Sequence, residues 1–361
     1  MIDRIDRNIL HGLNLDPRVG YAKLADVLGV SEQTVARRFH RMRSEGLVRV
    51  VGLTSAERAG VADWTVRLAC RPGTAGAMAA ALARREDVAW LGIAAGGTEL
   101  VLLVRGRLGR RRDDAPAAEG RGDHDNDLLE RLPLAGNVLS MSAHQTLHRF
   151  RGRGERDWIG LDTPLTEQQR EQLFTGCQPG GSDPADRSGA AAQSPDPVGP
   201  DDRPLLDALA RDGRASYAEL AAETGWSHRQ AARRVAALVE SGALYFDVDI
   251  AISLVGFQSM ANLWLTVEPA RLHEVGTRLA DHAEIPFVSA VTGQQNLLAS
   301  VLTPDATALY RYLTTKIAAV EGVRQMEISP MPTRIKQAGS LIDNHRLADP
   351  FAPAAARRRS A

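Results

Sequence analysis

Cysteine and aromatic residues are scarce in this chain, its charge is balanced, and long apolar runs are missing. Its 361 residues hold two cysteines, Cys70 and Cys177, far apart and without ligand-like spacing. That pattern excludes a disulfide framework and a cysteine zinc site, so both are expected as reduced thiols. Lys and Arg together number 44, as do Asp and Glu, so the formal net charge is zero. A chain-wide basic footprint for nucleic acid is thereby excluded, and any DNA contact must come from a local cluster. No stretch approaches the roughly 20 apolar residues that span a bilayer. The opening residues, MIDRID, carry charge where an export signal needs an apolar run. A cytoplasmic protein with no membrane partner is the expectation.

What the chain does have is a repeat. Asp6–Val50 aligns without a gap on Asp202–Phe246, and roughly a third of the pairs are identical. They include Tyr21/Tyr217, Leu24/Leu220, Gly29/Gly225, Ser31/Ser227, Arg37/Arg233, Arg38/Arg234 and Gly46/Gly242. A self-match at fixed offset sets the architecture before any other feature. It continues further: Ala59-Gly60-Val61 matches Val255-Gly256-Phe257, followed in both copies by an apolar alternation (Trp64–Cys70; Leu263–Val267) that predicts a strand. Helical stretches come next at Ala75–Arg84 and Ala270–Asp281. Then two apolar runs flank Gly96 and Gly293, the place of a hairpin turn. A helix (Asp127–Leu132; Asp305–Ala319) and a strand (Val138–Phe150; Val323–Ile335) finish each copy. Strand-helix-strand-strand-helix-strand is the ferredoxin-like order.

The fold class is therefore α+β, two three-helix helix-turn-helix domains alternating with two ferredoxin-like (βαββαβ) domains. The expected bounds are 1–50 and 51–151 for the first pair, a linker at 152–200, 201–247 and 248–338 for the second pair, and a tail at 339–361. Residues 107–126, charged and rich in Gly and Pro, read as a surface-loop insertion in the first ferredoxin-like half. Thr175–Pro200 is a Pro/Gly/Ser/Ala linker, with one short helix expected before it at Thr166–Phe174.

In the first copy, Tyr21–Leu28 ends at Gly29, which suits the left-handed residue that stops a helix. Ser31 then caps a longer helix running to about Glu45. In the second copy, Ser216-x-x-Glu219 and Ser227-x-x-Gln230 fit the capping-box spacing. Short helix, tight turn, longer helix is the helix-turn-helix signature. Val35, Phe39 and Met42 share the inner side of the longer helix, while Gln33, Thr34, Arg37 and Arg41 face outward and Arg38 lies on the flank. The outer set has the chemistry that reaches base edges: Arg to guanine, Gln to adenine, Thr to a thymine methyl. Arg38 and Arg43 are better placed for phosphates, which set register but not sequence. The second copy repeats this with Ala231, Val235 and Leu238 inside, Arg229, Gln230 and Arg233 outside, and Arg234 matching Arg38. Charge separates the copies: Met1–Val50 has nine basic and six acidic side chains, Asp201–Phe246 six and seven. The second helix-turn-helix is expected either to be the weaker reader or to have drifted toward a packing role.

The segment RxxYAKLADVLGVSxxTVARR, then EGLV, then a ferredoxin-like module with a Gly-centred turn, resembles the Lrp/AsnC (feast/famine) transcriptional regulators. The resemblance runs over nearly the whole chain, twice, with two distinct modules in the right order. It implies a sequence-specific regulator of double-stranded DNA whose C-terminal modules dimerise and bind an amino-acid effector, with further self-association of the chain. Here both halves of the dimer share one polypeptide. Linking them raises the effective concentration of the second reader to roughly millimolar, and unlike readers release the operator from palindromy. The family's effector site lies by the turn after the second strand, where Gly-x-[Tyr/Asn]-Asp is typical. The matching residues are Gly96-Gly97-Thr98-Glu99 and Gly293-Gln294-Gln295-Asn296. Ser31 and Ser227 join the DNA-facing set as caps of the two reading helices.

Other features carry less. Asp123-His124-Asp125-Asn126-Asp127 opens like a calcium loop but lacks the later Gly and distal Glu. His144 and His148, at i and i+4 on one strand, are expected on one sheet face without a third ligand. Trp64, Trp90 and Phe287 read as core aromatics. Siroheme decarboxylases share the same two modules, yet their His-Cys-Tyr-Glu-Arg kind of pattern is replaced here by SMSAHQTLHRF. A sensor that has given up DNA is the other alternative, opposed by the Arg37/Arg38/Arg41 face. No catalytic residue, cofactor or metal site is expected.

Overall fold

The computed structural model describes residues 2–55, 62–106, 127–152, 165–173 and 198–348. The insertion 107–126, with the start of the calcium-like run, lies outside the described residues, as do most of the linker and residues 349–361. The first copy runs α1 (Arg4–Leu15), α2 (Tyr21–Leu28), α3 (Glu32–Ser44), β1 (Val48–Thr54), β2 (Ala62–Cys70) and α4 (Ala75–Leu82). It goes on with β3 (Val88–Ala94), β4 (Glu99–Gly106), α5 (Asp127–Arg131), β5 (Val138–Arg151) and α6 (Glu167–Leu173). The second copy follows with α7 (Arg203–Arg211), α8 (Tyr217–Thr224), α9 (His228–Glu240), β6 (Leu244–Ile250), β7 (Ser259–Val267) and α10 (Leu272–Ala280). Then come β8 (Phe287–Val291), β9 (Leu297–Thr303), α11 (Ala306–Tyr312), β10 (Val323–Pro330), β11 (Thr333–Gln337), β12 (Ser340–Asp343) and β13 (Arg346–Ala348).

The chain sorts like with like. One compact unit gathers both helix-turn-helix bundles and the C-terminal residues, and the other gathers both ferredoxin-like halves.

In the first unit, local chemistry sets each helix. Asp3 caps α1 through a reciprocal box with Asp6, and Gly29 and Gly225 take φ of 66° and 72° to stop the middle helices. Ser31 accepts the Thr34 N–H, and Ser227 the Gln230 N–H, to start the two reading helices. Val35, Phe39 and Met42 in one bundle, and Ala231, Val235 and Leu238 in the other, are buried as the periodicity requires. The bundles are joined by an antiparallel ribbon of β1 and β6, in register from Val48↔Ile250 to Thr54↔Leu244. Residues 340–348, expected as tail, form a hairpin against the first bundle, where Gly46 O accepts the Leu347 N–H at 2.7 Å. Arg49, buried, donates to Gly339 O, Ser340 Oγ and Arg211 O at 2.8–3.1 Å. Backbone carbonyls thus absorb a guanidinium that the ribbon would otherwise strand.

In the second unit the hydrogen-bonded order is β10-β7-β9-β8-β5-β2-β4-β3-β11. Each half supplies fourth-first-third-second strands, the ferredoxin-like order, and the fourth strand runs on to pair with the second strand of the other half. β5 does this through Thr146↔Val291, and β11 through Thr333↔Ile93. Sequence periodicity predicts one strand over Val323–Ile335; the structure breaks it at Met331-Pro332, since proline cannot donate to a ladder. Met331 instead seats its side chain between the halves, with Ala94, Val101, Trp264, Val291 and Leu298. A Cβ on Gly92 would run into Met331 Sδ, so any larger residue there must displace the Met331 side chain. A register shift between Thr146 and His148 separates the two strand histidines expected on one face. His144 packs on Trp264, whereas His148 packs on Phe150 and on His273 of α10.

Candidate nucleic-acid interface

The exposed surface of α3 is narrower in chemistry than its sequence suggests. Gln33, Arg37, His40 and Arg41 are exposed and Thr34 is half-buried. Arg38 faces inward to α1: its Nη1 lies 2.6 Å from Asp3 Oδ2 and 2.9 Å from Asp6 Oδ1. Arg41 Nη2 reaches the second Asp6 oxygen at 2.6 Å. Donating to the Asp3 and Asp6 carboxylates holds the Arg38 guanidinium above its ordinary pKa, and donating to Asp6 does the same for Arg41. The second copy keeps this tie, with Arg234 Nε 2.6 Å from Asp202 Oδ1. Arg38 and Arg234, expected on the DNA-facing flank, are thus engaged within their own bundles. A nearly buried carboxylate at the start of the first helix needs a cation, and these arginines supply it. Arg43, assigned to phosphate, pairs instead with Asp212 of the other bundle at 2.7 Å.

Arg37 and its equivalent Arg233 make no ion pair among the described residues and are exposed, as is Arg229. They sit in the first two turns of helices whose N-termini are fixed by caps, toward the end at which a recognition helix meets base edges. Ser31 and Ser227 are occupied by capping. The Thr34 hydroxyl lies 2.8 Å from Ser31 Oγ, and Gln230 Oε1 accepts the Ser227 N–H at 2.9 Å. The far ends differ. His40, Arg41, Arg43 and Ser44 are matched by Ala236, Ala237, Val239 and Glu240, and Lys23 by Glu219.

Sequence reasoning missed Arg18 and Arg214, which are equivalent residues of the two copies. Arg18 donates to Gly213 O and, at 3.0 Å, to Ala215 O; Arg214 donates to Pro17 O at 2.7 Å and Val19 O at 2.8 Å. The Arg18 guanidinium lies 5.3 Å from the Tyr217 ring centre, and that of Arg214 4.8 Å from Tyr21. Their identity within an otherwise variable turn, Asp-Pro-Arg against Asp-Gly-Arg, was the available signal.

The two turns named for the effector are formed but engaged. Gly96 and Gly97 take positive φ, and so does Gly293. Glu99 Oε1 lies 2.5 Å from Arg67 Nε, and its other oxygen accepts from Ser329 at 3.2 Å. Asn296 uses both ends of its amide on Val267, accepting its N–H and donating to its carbonyl at 2.8 Å. Arg67 also reaches Glu327 at 2.6 Å and lies 4.8 Å from the Trp264 ring centre.

Comparison with known proteins bears on both modules. Residues 2–43 and 201–239 match the AsnC-type helix-turn-helix domain, and 260–341 the Lrp/AsnC ligand binding domain. An HTH-type transcriptional regulator of Pyrococcus horikoshii is 30% identical over 139 residues, 38% of this chain and 87% of that protein. The chain belongs to the Lrp/AsnC family of transcriptional regulators. The regulator LrpA of Pyrococcus abyssi is 25% identical over 126 residues, 35% of this chain and 89% of its own. These relatives are single-copy in length, so the regulator carries their organisation twice. Over its whole length the fold resembles the siroheme decarboxylase NirDL, with a TM-score of 0.58, 11% identity and 93% of each chain covered. At that identity the likeness concerns the fold alone. Among the described residues, no helix is long and apolar enough to cross a membrane.

Proposed function

We propose that this regulator reads double-stranded DNA through α3 and α9, with Gln33, Thr34 and Arg37 on one half-site and Arg229, Gln230 and Arg233 on the other. The observation that carries this is the pair Arg37 and Arg233, exposed and without an ion pair among the described residues on capped helices, set beside neighbouring arginines that are consumed internally. Arg37 makes a bidentate contact with guanine and supplies sequence discrimination of about 1–3 kcal/mol. The first reader is stronger, because its distal end is basic where the second ends in Glu240. The ligand-binding modules respond to an amino acid near Gly96–Glu99 or Gly293–Asn296, the chain self-associates, and it has no catalytic role in the cytoplasm. Fluorescence anisotropy against its own upstream DNA and a scrambled control, at two salt concentrations, tests the reading. Sequence-selective binding lost in Arg37→Ala/Arg233→Ala supports it; binding equally weakened on all sequences makes these residues phosphate contacts. The whole-chain likeness to a siroheme decarboxylase favours one second reading, a tetrapyrrole enzyme. Titration with an iron uroporphyrin, followed by its Soret band, separates the two.

A further inference from the structure

The two readers are held to one another by a reciprocal set of contacts between the bundles. Arg18 and Arg214 each leave their own bundle, thread into the turn of the other, and donate two hydrogen bonds to backbone carbonyls there. Each guanidinium is roofed by aromatic rings of the opposite bundle: Tyr217 and Phe246 over Arg18, and Tyr21 and Phe39 over Arg214, all within 4.8–5.4 Å. Phe39 is itself a core residue of α3, so the clasp reaches the reading helix directly. The Arg43–Asp212 pair and the seven-residue β1–β6 ribbon act between the same bodies. A guanidinium forked onto two carbonyls fixes direction as well as distance, which a point charge cannot do.

We propose that Arg18 and Arg214 are positioning residues that lock α3 and α9 at one separation and one rotation. The regulator then selects operators by the spacing of their two half-sites as well as by base sequence. The inference rests on the DNA-reading function proposed above. Displacing one half-site by a few base pairs rotates it about the duplex axis by roughly 35° per pair, since a turn takes 10–10.5 bp. Locked readers cannot follow that rotation, and loosely tethered ones can.

The test uses the full chain. A preferred duplex is selected from random DNA with the wild type, and variants of it are made with two or four base pairs inserted between the half-sites. The wild type is expected to lose about 30-fold or more in affinity on insertion. Arg18→Met/Arg214→Met is expected to bind the original spacing about tenfold more weakly, with an insertion penalty of about threefold or less. Its affinity for a duplex carrying the first half-site alone should be unchanged, which a merely unfolded bundle would not give. If the double Met variant does not melt cooperatively, Arg18→Lys/Arg214→Lys, which keeps charge and loses the fork, is measured in its place. A folded variant whose insertion penalty is as steep as the wild type's overturns the clasp and leaves the DNA reading intact. A wild type that selects no sequence overturns the DNA reading, and the clasp falls with it.

Discussion

The arginine that follows Arg37 on each reading helix should matter for stability and hardly at all for sequence recognition. In the second bundle, Asp202 has 4% of its side chain exposed and is met by Arg234 through both guanidinium and carboxylate edges at 2.6 Å. No second cation reaches Asp202 among the described residues. Arg234→Ala strands a buried carboxylate, for which about 3–5 kcal/mol is the usual loss. In the first bundle, Asp6 is 1% exposed but has two cations, and Arg38→Ala leaves Arg41 in place at 2.6 Å. The loss there should be nearer about 1.5–3 kcal/mol, that of the hydrogen bond to buried Asp6, with little added by the second bond to the exposed Asp3. Removing Arg41 as well should cost more than the two single losses added, because each single variant keeps a partner for Asp6. Urea unfolding followed by circular dichroism, with hydrogen exchange resolving the two bundles, measures the ranking. Acid adds a sign. Burial pushes Asp202 up, but the hydrogen bonds from Arg234 and the Gly199 N–H outweigh it and leave the carboxyl below its usual range. A depressed carboxylate stabilises above the unfolded value of about 3.9 and loses that as pH falls through its folded value. The wild type should therefore weaken below about pH 4 more steeply than Arg234→Ala. Asp202→Leu combined with Arg234→Met should recover most of the loss. A folded, fully stable Arg38→Ala that selectively loses its operator would refute this account and return Arg38 to the DNA.

Lys336 crosses between the ferredoxin-like halves on β11, and burial lowers its pKa to about 8, with Nζ donating to Arg85 O at 2.7 Å. Between about 8 and 10.5 the unfolded chain binds the extra proton, so stability should rise with pH across that window by at most about 3 kcal/mol. Lys336→Met should flatten the rise in thermal melts. Asn296→Ala removes two hydrogen bonds to Val267 and should cost about 1–3 kcal/mol. If the same variant leaves stability untouched while abolishing a thermal shift by an amino acid, Asn296 serves the ligand and not the strand.

The modules were legible in the sequence because local chemistry specifies them. Capping boxes at Ser216 and Ser227, the stop at Gly29, and the periodicity of Val35, Phe39 and Met42 all act within a few residues. What was hidden depends on partners far along the chain. The flank position assigned to Arg38 follows from helical geometry alone, and only the folded bundle brings Asp6 beneath it. The pairing of like modules into two units, against their alternation in sequence, is a tertiary fact with no local signal. His144 and His148 share a face on an ideal strand, and one register shift cancels that arithmetic.

Fusion allows an arrangement that a homodimer of either half could not adopt. Strand register makes Arg67 of β2 and Trp264 of β7 equivalent positions, opposite Val101 and Leu298 and opposite Ser142 and Glu327. These equivalent residues touch each other, 4.8 Å from guanidinium to ring centre, so they lie on the axis relating the halves. In a homodimer of the first half, arginine would face arginine at that point. In the single chain, it faces a fully buried tryptophan and is held by Glu99 of its own half and Glu327 of the other. Burial alone would lower the Arg67 pKa, but the two carboxylates raise it well above its ordinary value. Glu99 has 12% of its side chain exposed and Glu327 44%, so the desolvated Glu99 pair dominates and the Glu327 pair is worth little. Arg67→Leu should therefore cost about 2–4 kcal/mol at pH 7, mostly by orphaning Glu99. Arg67→Leu combined with Glu99→Gln should recover most of that loss, because no desolvated carboxylate is then left without its cation. Parallel urea titrations of the single and the double variant decide it. An equal loss in both would mean that Arg67 acts only through its packing on Trp264, and the asymmetric axis would then owe nothing to charge.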